Sequence, residues 1–126
     1  MYLIDGIFND NAILEMSLQG LALRNQVIQH NIANAELPNF KRSRVVFEDV
    51  LQGVVQNYKE TGRLSLSKID PSVVRENTNL SYRLDGNNVD IEAEMVELYT
   101  NDAKYHTIAG SVVNNYKRIN LVLSGR

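Results

Sequence analysis

The sequence predicts a mainly α-helical protein whose long N- and C-terminal helices pack as an antiparallel coiled coil, with a small irregular or β-containing segment between them. Two observations favour this fold. Apolar residues recur in alternating steps of four and three at both ends of the chain, and short stretches of period two lie only in the middle. A chain of 126 residues fits one domain. We therefore expect an N-terminal core helix within residues 1–37, a central segment at 38–87 and a C-terminal core helix within 88–126.

The C-terminal helix is predicted over residues 88–123, where no proline interrupts a 3.5-residue apolar period. Asn88 or Asp90 can cap its first amides, and acidic residues near its start suit the helix dipole. Asp102 is the one polar residue in the row. The predicted seam consists of Ile91, Met95, Leu98, Asp102, Tyr105, Ala109, Val112, Tyr116, Ile119 and Leu123.

A second apolar row runs beside this seam in the same three-four steps. One partner helix covers one stripe, so a second stripe needs a second neighbour. Two alternatives stay open, a wide core-facing stripe within one small domain or burial against other chains. The second row consists of Val96, Tyr99, Ala103, His106, Gly110 and Val113.

The N-terminal helix is predicted from about Asn11 to Ala35, preceded by a partly ordered arm over residues 1–9. It too has a second stripe, from Ile13 to Val27, and two helices that are each apolar on two sides indicate assembly. Gly20 and Gly110 are candidate positions for close helix approach. The predicted seam, with Asn25 as a buried polar residue that sets register, consists of Leu14, Leu18, Leu21, Asn25, Ile28, Ile32 and Ala35.

An elbow is predicted after this helix, because Pro38 removes a donor and pushes the preceding residue towards an extended conformation. The helix therefore ends within residues 34–37. Asn31 and Asn34 can cap it or form a left-handed turn, and Phe40 can anchor the departing chain.

The central segment has weaker patterns. A short helix is predicted around Phe47 to Asn57, and period-two alternation predicts strands at residues 64–67 and 80–84. Gly62, Pro71 and the run at residues 77–79 indicate turns. Such a segment is too short to hold its own core, so we expect it to lie against the helix pair or a neighbour.

Composition excludes several classes of protein. The net charge is −2 and the pI is near 5.6, which disfavours a nucleic-acid binder. There is no cysteine, hence no disulfide framework. No apolar window reaches the length of a membrane span, and the first residues lack the basic and apolar regions of a cleaved secretion signal.

Catalytic and ligand-binding motifs are missing from the sequence. The two histidines, His30 and His106, have no ligand partner at metal-binding spacing, so packed or surface imidazoles are expected. The carboxylates at residues 92–97 are expected to be solvated at a helix start. Lys41, Arg42 and Arg44 form a basic cluster that we expect to be solvated. No enzyme, cofactor, metal or small-molecule substrate is predicted.

The elbow carries the most specific motif in the chain. Asn31-Ile32-Ala33-Asn34, followed by Pro38-Asn39-Phe40-Lys41, resembles the Asn-Ile-Ala-Asn…Pro-Gly-Tyr-Lys pattern of flagellar rod, hook and hook-associated axial proteins. Residues 23–26, 47–51 and 85–90, with Glu94-Met95, resemble the proximal-rod members of that family. Asn39 stands in place of the usual glycine, Phe40 in place of tyrosine, and Glu36-Leu37 in place of a small polar pair.

The resemblance implies a structural subunit of the bacterial flagellar proximal rod, assembling helically around the export channel and transmitting torque. It implies export by the flagellar type III apparatus without a cleaved signal peptide, and a periplasmic location in the basal body. Implied partners are other copies, other rod subunits, the basal-body adaptor protein, the MS ring and the export gate. The alternative is a helical oligomeric regulator or adaptor unrelated to the flagellum. Together with the two seams, the assembly interface would include Asn31, Asn34, Pro38 and Phe40.

Overall fold

The computed structural model describes residues 2–67, 70–76 and 84–125. The elements in chain order are α1 (Tyr2–Ala33), β1 (Ser43–Val46), α2 (Glu48–Thr61), β2 (Ser72–Arg75) and α3 (Ile91–Ser124). Within these described ranges, no helix is both long and apolar enough to cross a membrane.

Helices α1 and α3 pack lengthwise and antiparallel. Asn31, late in α1, bonds to Glu94 at the start of α3, whereas Asn11, early in α1, bonds to Asn115 near its end. The Asp90 carboxylate caps α3 by accepting from the amides of Glu92 and Ala93 at 3.1 and 3.2 Å. The predicted fold class is confirmed.

The N-terminal arm is helical, so the prediction of a partly ordered arm was wrong. Helix α1 begins at Tyr2. Its seam continues backwards from Leu14 to buried Asn11, and the next position in the row, Ile7, is 44% exposed. Ile7 also lines an apolar groove of about 390 Å³ together with Ile119 of α3. The polar Asn11 concealed this continuation in the sequence.

The seam of α3 is rotated relative to the prediction. Asn101 is buried, whereas Asp102 is exposed, and Ile91 and Tyr116 are exposed as well. Counting Asn101 as a seam residue restores an unbroken four-three row. The observed seam consists of Glu94, Leu98, Asn101, Tyr105, Ile108, Val112, Asn115 and Ile119.

Asn25 is likewise not the buried polar residue of α1. It is half-buried, and its side-chain oxygen accepts from Gln29 Nε2 of the same helix at 3.2 Å in an exposed position. The polar side chains that α1 buries are those of Asn11, Ser17 and Asn31.

The core lies where the central segment meets the helix pair. Leu21, Val45 and Phe47 form its buried cluster. The Phe47 ring lies over Gly20, where an added Cβ would be only 2.7 Å from ring carbons. Gly20 therefore permits the close approach of an aromatic ring, whereas the prediction was the close approach of a second helix. Part of the second stripe of α1 is covered in this way.

The central strands are not those predicted. β1 and β2 pair antiparallel, with Ser43 opposite Arg75 and Val46 opposite Ser72. Residues 64–67 are not a strand, Leu84 lies in a turn, and residues 77–83 lie outside the described part of the chain. The predicted short helix is confirmed as α2, which ends at Gly62 in the left-handed region (φ 67°).

Candidate functional site: the elbow, the ion-pair cluster and the helix faces

The elbow after α1 is held by the side chain of Asn31, which is fully buried. Its amide nitrogen donates to the Ser43 carbonyl at 2.8 Å, and its oxygen accepts from the Ser43 amide at 2.9 Å. The same nitrogen donates to Glu94 Oε2 at 3.0 Å. The Asn31 side chain thus makes the pair of hydrogen bonds to Ser43 that a neighbouring strand would make. It also connects the start of β1 to both α1 and α3.

A second buried amide, Asn87, covers the end of α1. Its nitrogen donates to the carbonyls of Ala35 and Leu37, and its oxygen accepts from the Val89 amide at 2.7 Å. These contacts satisfy backbone carbonyls of the turn that follows α1. The sequence indicated only a turn at this position.

Two residues near these hydrogen bonds, Asn39 and Gly86, have a left-handed backbone conformation. Asn39 has φ 59° and Gly86 has φ 78°. The Asn39 amide donates to the Asp85 carbonyl at 3.0 Å, and the Asn39 side chain fills the space that a Cβ on Gly86 would need. Asn39 occupies the place of the glycine in the Pro-Gly-Tyr-Lys pattern that the elbow resembles, and asparagine tolerates the left-handed region better than most residues.

The remaining elbow residues sit at the surface. Asn34 donates to the His30 carbonyl at 2.7 Å, as a helix-end cap does. The half-buried Phe40 ring lies 5.8 Å from the His30 ring. Pro38 is exposed. Helix α1 ends at Ala33, one residue before the predicted range of 34–37, and buried amides hold the departing chain.

An ion-pair cluster centred on Arg42 joins the central segment to α3. Arg42 Nε lies 3.0 Å from Glu94 Oε1 and 3.7 Å from Glu76 Oε2, and its Nη2 lies 3.1 Å from Glu97 Oε2. Arg44 Nε lies 3.7 Å from Glu76 Oε1. The prediction of a solvated basic cluster is therefore wrong for Arg42, which pairs with acidic neighbours, whereas the Arg44 side chain stays 57% exposed.

Burial raises the pKa of the Glu94 carboxyl, although the hydrogen bond from Asn31 and the charge of Arg42 oppose that rise. From the sequence, Glu94 was predicted to be a solvated carboxylate at the helix start, and this prediction was wrong. Its spacing to Leu98, one turn on, was the available signal that it belongs to the seam.

A second ion pair joins α1 to the start of α2. Arg24 pairs with Glu48, donates to the Val45 carbonyl at 3.0 Å, and lies over the Phe47 ring at 4.9 Å from its centroid. Burial favours the neutral form of Glu48, but the hydrogen bond and charge of Arg24 outweigh it and lower the pKa. Sequence patterns gave no sign of this pair.

The predicted seam residues fall into two groups. Asp102, Ile91 and Tyr116 are exposed, although Tyr116 donates to Glu15 Oε1 at 2.7 Å, a bond that raises the pKa of the phenol. Leu123 is exposed as well, at 79%. The others are buried or half-buried, and they are Leu14, Leu18, Leu21, Asn25, Ile28, Ile32, Ala35, Met95, Leu98, Tyr105, Ala109, Val112 and Ile119.

The second row of α3 faces away from α1, and we call it the outer stripe (Val96, Tyr99, Ala103, His106, Gly110 and Val113). Its apolar members are open to solvent, with Tyr99 67% and Val113 50% exposed. A core-facing stripe within one domain is therefore the wrong alternative for α3. Beside it runs an apolar groove of about 720 Å³ that reaches Leu51 of α2.

The arrangement offers structural contacts in place of reactive groups. Within the described ranges, no group of three histidine, cysteine or acidic residues is placed to hold a metal ion. His106 Nε2 lies 3.6 Å from Asp102 Oδ2 on an exposed face. The fold and its two faces define the class of an antiparallel coiled-coil protein that presents an uncovered helix face.

Comparison with known proteins gives the family. The flagellar basal body rod proteins FlgB of Borrelia hermsii and Borreliella burgdorferi are 33% and 36% identical to the chain, each over 84% of this chain and 89% of the relative. That of Bacillus subtilis is 31% identical over 89% of this chain and 91% of the relative. No protein-family model matches. The chain belongs to the FlgB family of flagellar basal body rod proteins, which decides against a regulator unrelated to the flagellum.

Proposed function

We propose that the chain is a structural subunit of the flagellar proximal rod, assembling helically around the export channel and transmitting torque from the motor. The observation that carries the proposal, beside the family, is the outer stripe. One face of α3 packs on α1 while the opposite apolar face stays in solvent, where Val96 is 66% exposed. An apolar helix face of this length calls for a further neighbour.

The assembly interface in this proposal is the helix pair and its elbow. Residues 1–37 and 88–126 form the coiled-coil core domain, and residues 38–87 connect them. Contacts between subunits involve the two seams and the elbow residues Asn31, Asn34, Pro38 and Phe40, with the outer stripe added to them.

Torque transmission requires that the subunit resist twisting, and the polar contacts support that role. Arg42 links the central segment to α3 through two carboxylates, Glu94 and Glu97. Asn31 links the same segment to α1. A twist of one long helix against the other would have to break these contacts, and those of Arg42 with its two carboxylates are charge-assisted.

The proposal includes the partners and route that the family resemblance implies. The partners are other copies, other rod subunits, the basal-body adaptor protein, the MS ring and the export gate. The route is type III export without a cleaved signal peptide, and the location is the periplasmic rod. No catalysis, cofactor, metal, nucleic acid or small-molecule substrate has a part in it.

Complementation of swimming in a strain that lacks the gene tests the proposal. Tyr99→Asp places a charge on the outer stripe at an exposed position, so the chain should fold with unchanged helix content and yet fail to restore motility or rods. Ser111→Asp adds the same charge at an exposed α3 position off the stripe and should swim normally. Normal swimming of Tyr99→Asp would remove the outer stripe from the assembly contacts.

A further inference from the structure

The positions of the outer stripe are spaced symmetrically about the midpoint between Lys104 and Tyr105. Equal steps outward from this point reach residues that complement one another in size or charge. Extended by one turn at each end, the stripe pairs Ala103 with His106, Tyr99 with Gly110, Val96 with Val113, and Glu92 with Lys117. All of these residues are exposed.

We propose that two copies of the chain associate through this stripe, their α3 helices antiparallel about a two-fold axis at that midpoint. In such an isologous pair each residue of one copy meets the mirror-related residue of the other. The spacing of the stripe also suits this arrangement. Residues that recur in alternating steps of three and four lie on one side of a helix, so those of two antiparallel helices face one another in pairs.

The pairing of Tyr99 with Gly110 makes the two copies complementary in shape. The Tyr99 side chain stands in solvent, 67% exposed. At Gly110, no described atom outside the adjoining residues and backbone of α3 lies within 4 Å of the position that a Cβ would take. A glycine within a helix is costly, and here it leaves a place for the Tyr99 ring of the second copy.

The pairing of Glu92 with Lys117 favours the antiparallel orientation of the two α3 helices. Antiparallel pairing brings the glutamate of each copy opposite the lysine of the other, at both ends of the stripe. A parallel pair in register would instead place Glu92 against Glu92 and Lys117 against Lys117. Like charges facing one another disfavour that alternative, so charge selects the antiparallel pair.

The groove beside the stripe gives the second helix room. It is about 720 Å³ in volume and is lined by Tyr99 and Ala103 from α3 and by Leu51 from α2. A helix laid along the stripe would seat apolar side chains in this groove and remove its lining from water.

This dimer goes beyond the proposed rod function and does not depend on it. A two-fold pair closes on itself, whereas an open helical filament requires head-to-tail contacts. The antiparallel pair is therefore a species separate from the rod, and it covers the stripe before a subunit meets its neighbours there.

Cysteine cross-linking of the full-length chain tests the geometry, because the natural sequence has no cysteine. Val96→Cys and Val113→Cys are purified separately and oxidised alone or mixed. Mirror-related positions should meet, so the mixture should yield about tenfold more disulfide dimer than either variant alone. Positions 96 and 113 lie about 26 Å apart along α3, at about 1.5 Å per residue, which is too far for self-linking. Equal self-linking of Val96→Cys, or no cross-link at all, would overturn the proposal.

Sedimentation equilibrium of charge variants tests the pairing independently. Glu92→Lys and Lys117→Glu should each weaken dimerisation about tenfold or more, and the double variant should restore it. Gly110→Leu should weaken the dimer while leaving helix content unchanged or higher. Ser111→Leu is its matched control and should dimerise normally. A monomer at every concentration, a double variant no better than the singles, or a fully dimeric Gly110→Leu would contradict the antiparallel pair.

Discussion

Glu94 brings a carboxylate to a position that is 1% exposed, where it contacts α1 through Asn31 and the central segment through Arg42. Glu94→Ala should lower the free energy of unfolding by about 2 to 3 kcal/mol, because it leaves a buried amide and a guanidinium short of an acceptor. Glu97→Ala also removes a carboxylate from Arg42, but from a position 45% exposed, and should cost less than about 1 kcal/mol. Urea denaturation compares the two, and equal losses would contradict the special role of Glu94.

The same carboxyl predicts a pH dependence. Its pKa is raised above the ordinary value of 4.5, so the folded chain binds this proton more tightly than the unfolded chain does. The stability contributed by protonated Glu94 is full below that ordinary value and is lost as the pH rises through the raised one. Glu94→Gln keeps an acceptor for Asn31 but cannot titrate. Its stability relative to the natural chain should therefore improve from about pH 4 to about pH 7. A difference that stays constant would contradict the assignment.

Gly86 is the glycine whose replacement the elbow should tolerate least. It has φ 78°, and a Cβ there would overlap the Asn39 side chain. Gly86→Ala should cost about 1 to 3 kcal/mol in thermal or urea unfolding. Gly53 lies within α2, with no described atom inside 4 Å of a Cβ. Gly53→Ala should stabilise by about 0.5 to 1 kcal/mol, and a loss equal to that of Gly86→Ala would contradict the account.

At the scale of the helices, the seam contains two buried amides that are only partly hydrogen-bonded, Asn11 and Asn101. Asn101 donates to the Leu21 carbonyl at 2.8 Å, while its side-chain oxygen has no partner among the described residues. Asn101→Leu should raise the free energy of unfolding by about 1 kcal/mol, because it replaces a buried unsatisfied group with apolar contact. Asn101→Asp should lower it by about 3 kcal/mol or more. Thermal unfolding measures both, and a destabilised Asn101→Leu would mean that the amide contributes more than its geometry indicates.

The long helices were predictable because their apolar periodicity extends over many turns. Which residues of each helix face the other helix was not predictable in full. Asn11, Asn101 and Glu94 occupy seam positions with polar side chains. A seam assigned from apolar residues therefore omitted them, and in α3 it ran through the neighbouring position Asp102. Their burial depends on partners supplied from elsewhere in the chain, which local patterns do not contain. The break after α1 was predictable for a local reason, since proline acts on its own neighbours.

The central strands could not be predicted from their own residues. β1 and β2 are four residues each and show no clean alternation of buried and exposed positions. Instead, β1 is positioned by the paired hydrogen bonds between Asn31 and Ser43, a contact set by the fold. Residues 64–67 alternate well but are not a strand, so period two alone was insufficient.

The whole molecule is a helix pair with one satisfied face and one uncovered face. Leu98 on the inner face is half-buried against α1, while Val96, two residues earlier, is 66% exposed. The elbow and the Arg42 cluster hold the two long helices in one register. The subunit therefore presents its outer stripe as a continuous surface, and this is the central claim for rod assembly.

Cysteine reactivity in purified basal bodies tests that claim most directly. Val96→Cys, Val113→Cys and Leu98→Cys are each treated with a maleimide probe, first as dilute chain and then within isolated rods. We expect the two outer-stripe cysteines to react in the dilute chain and to become protected at least about tenfold in the rod, while position 98 reacts slowly in both. Outer-stripe cysteines that react equally fast in the rod and in the dilute chain would contradict it.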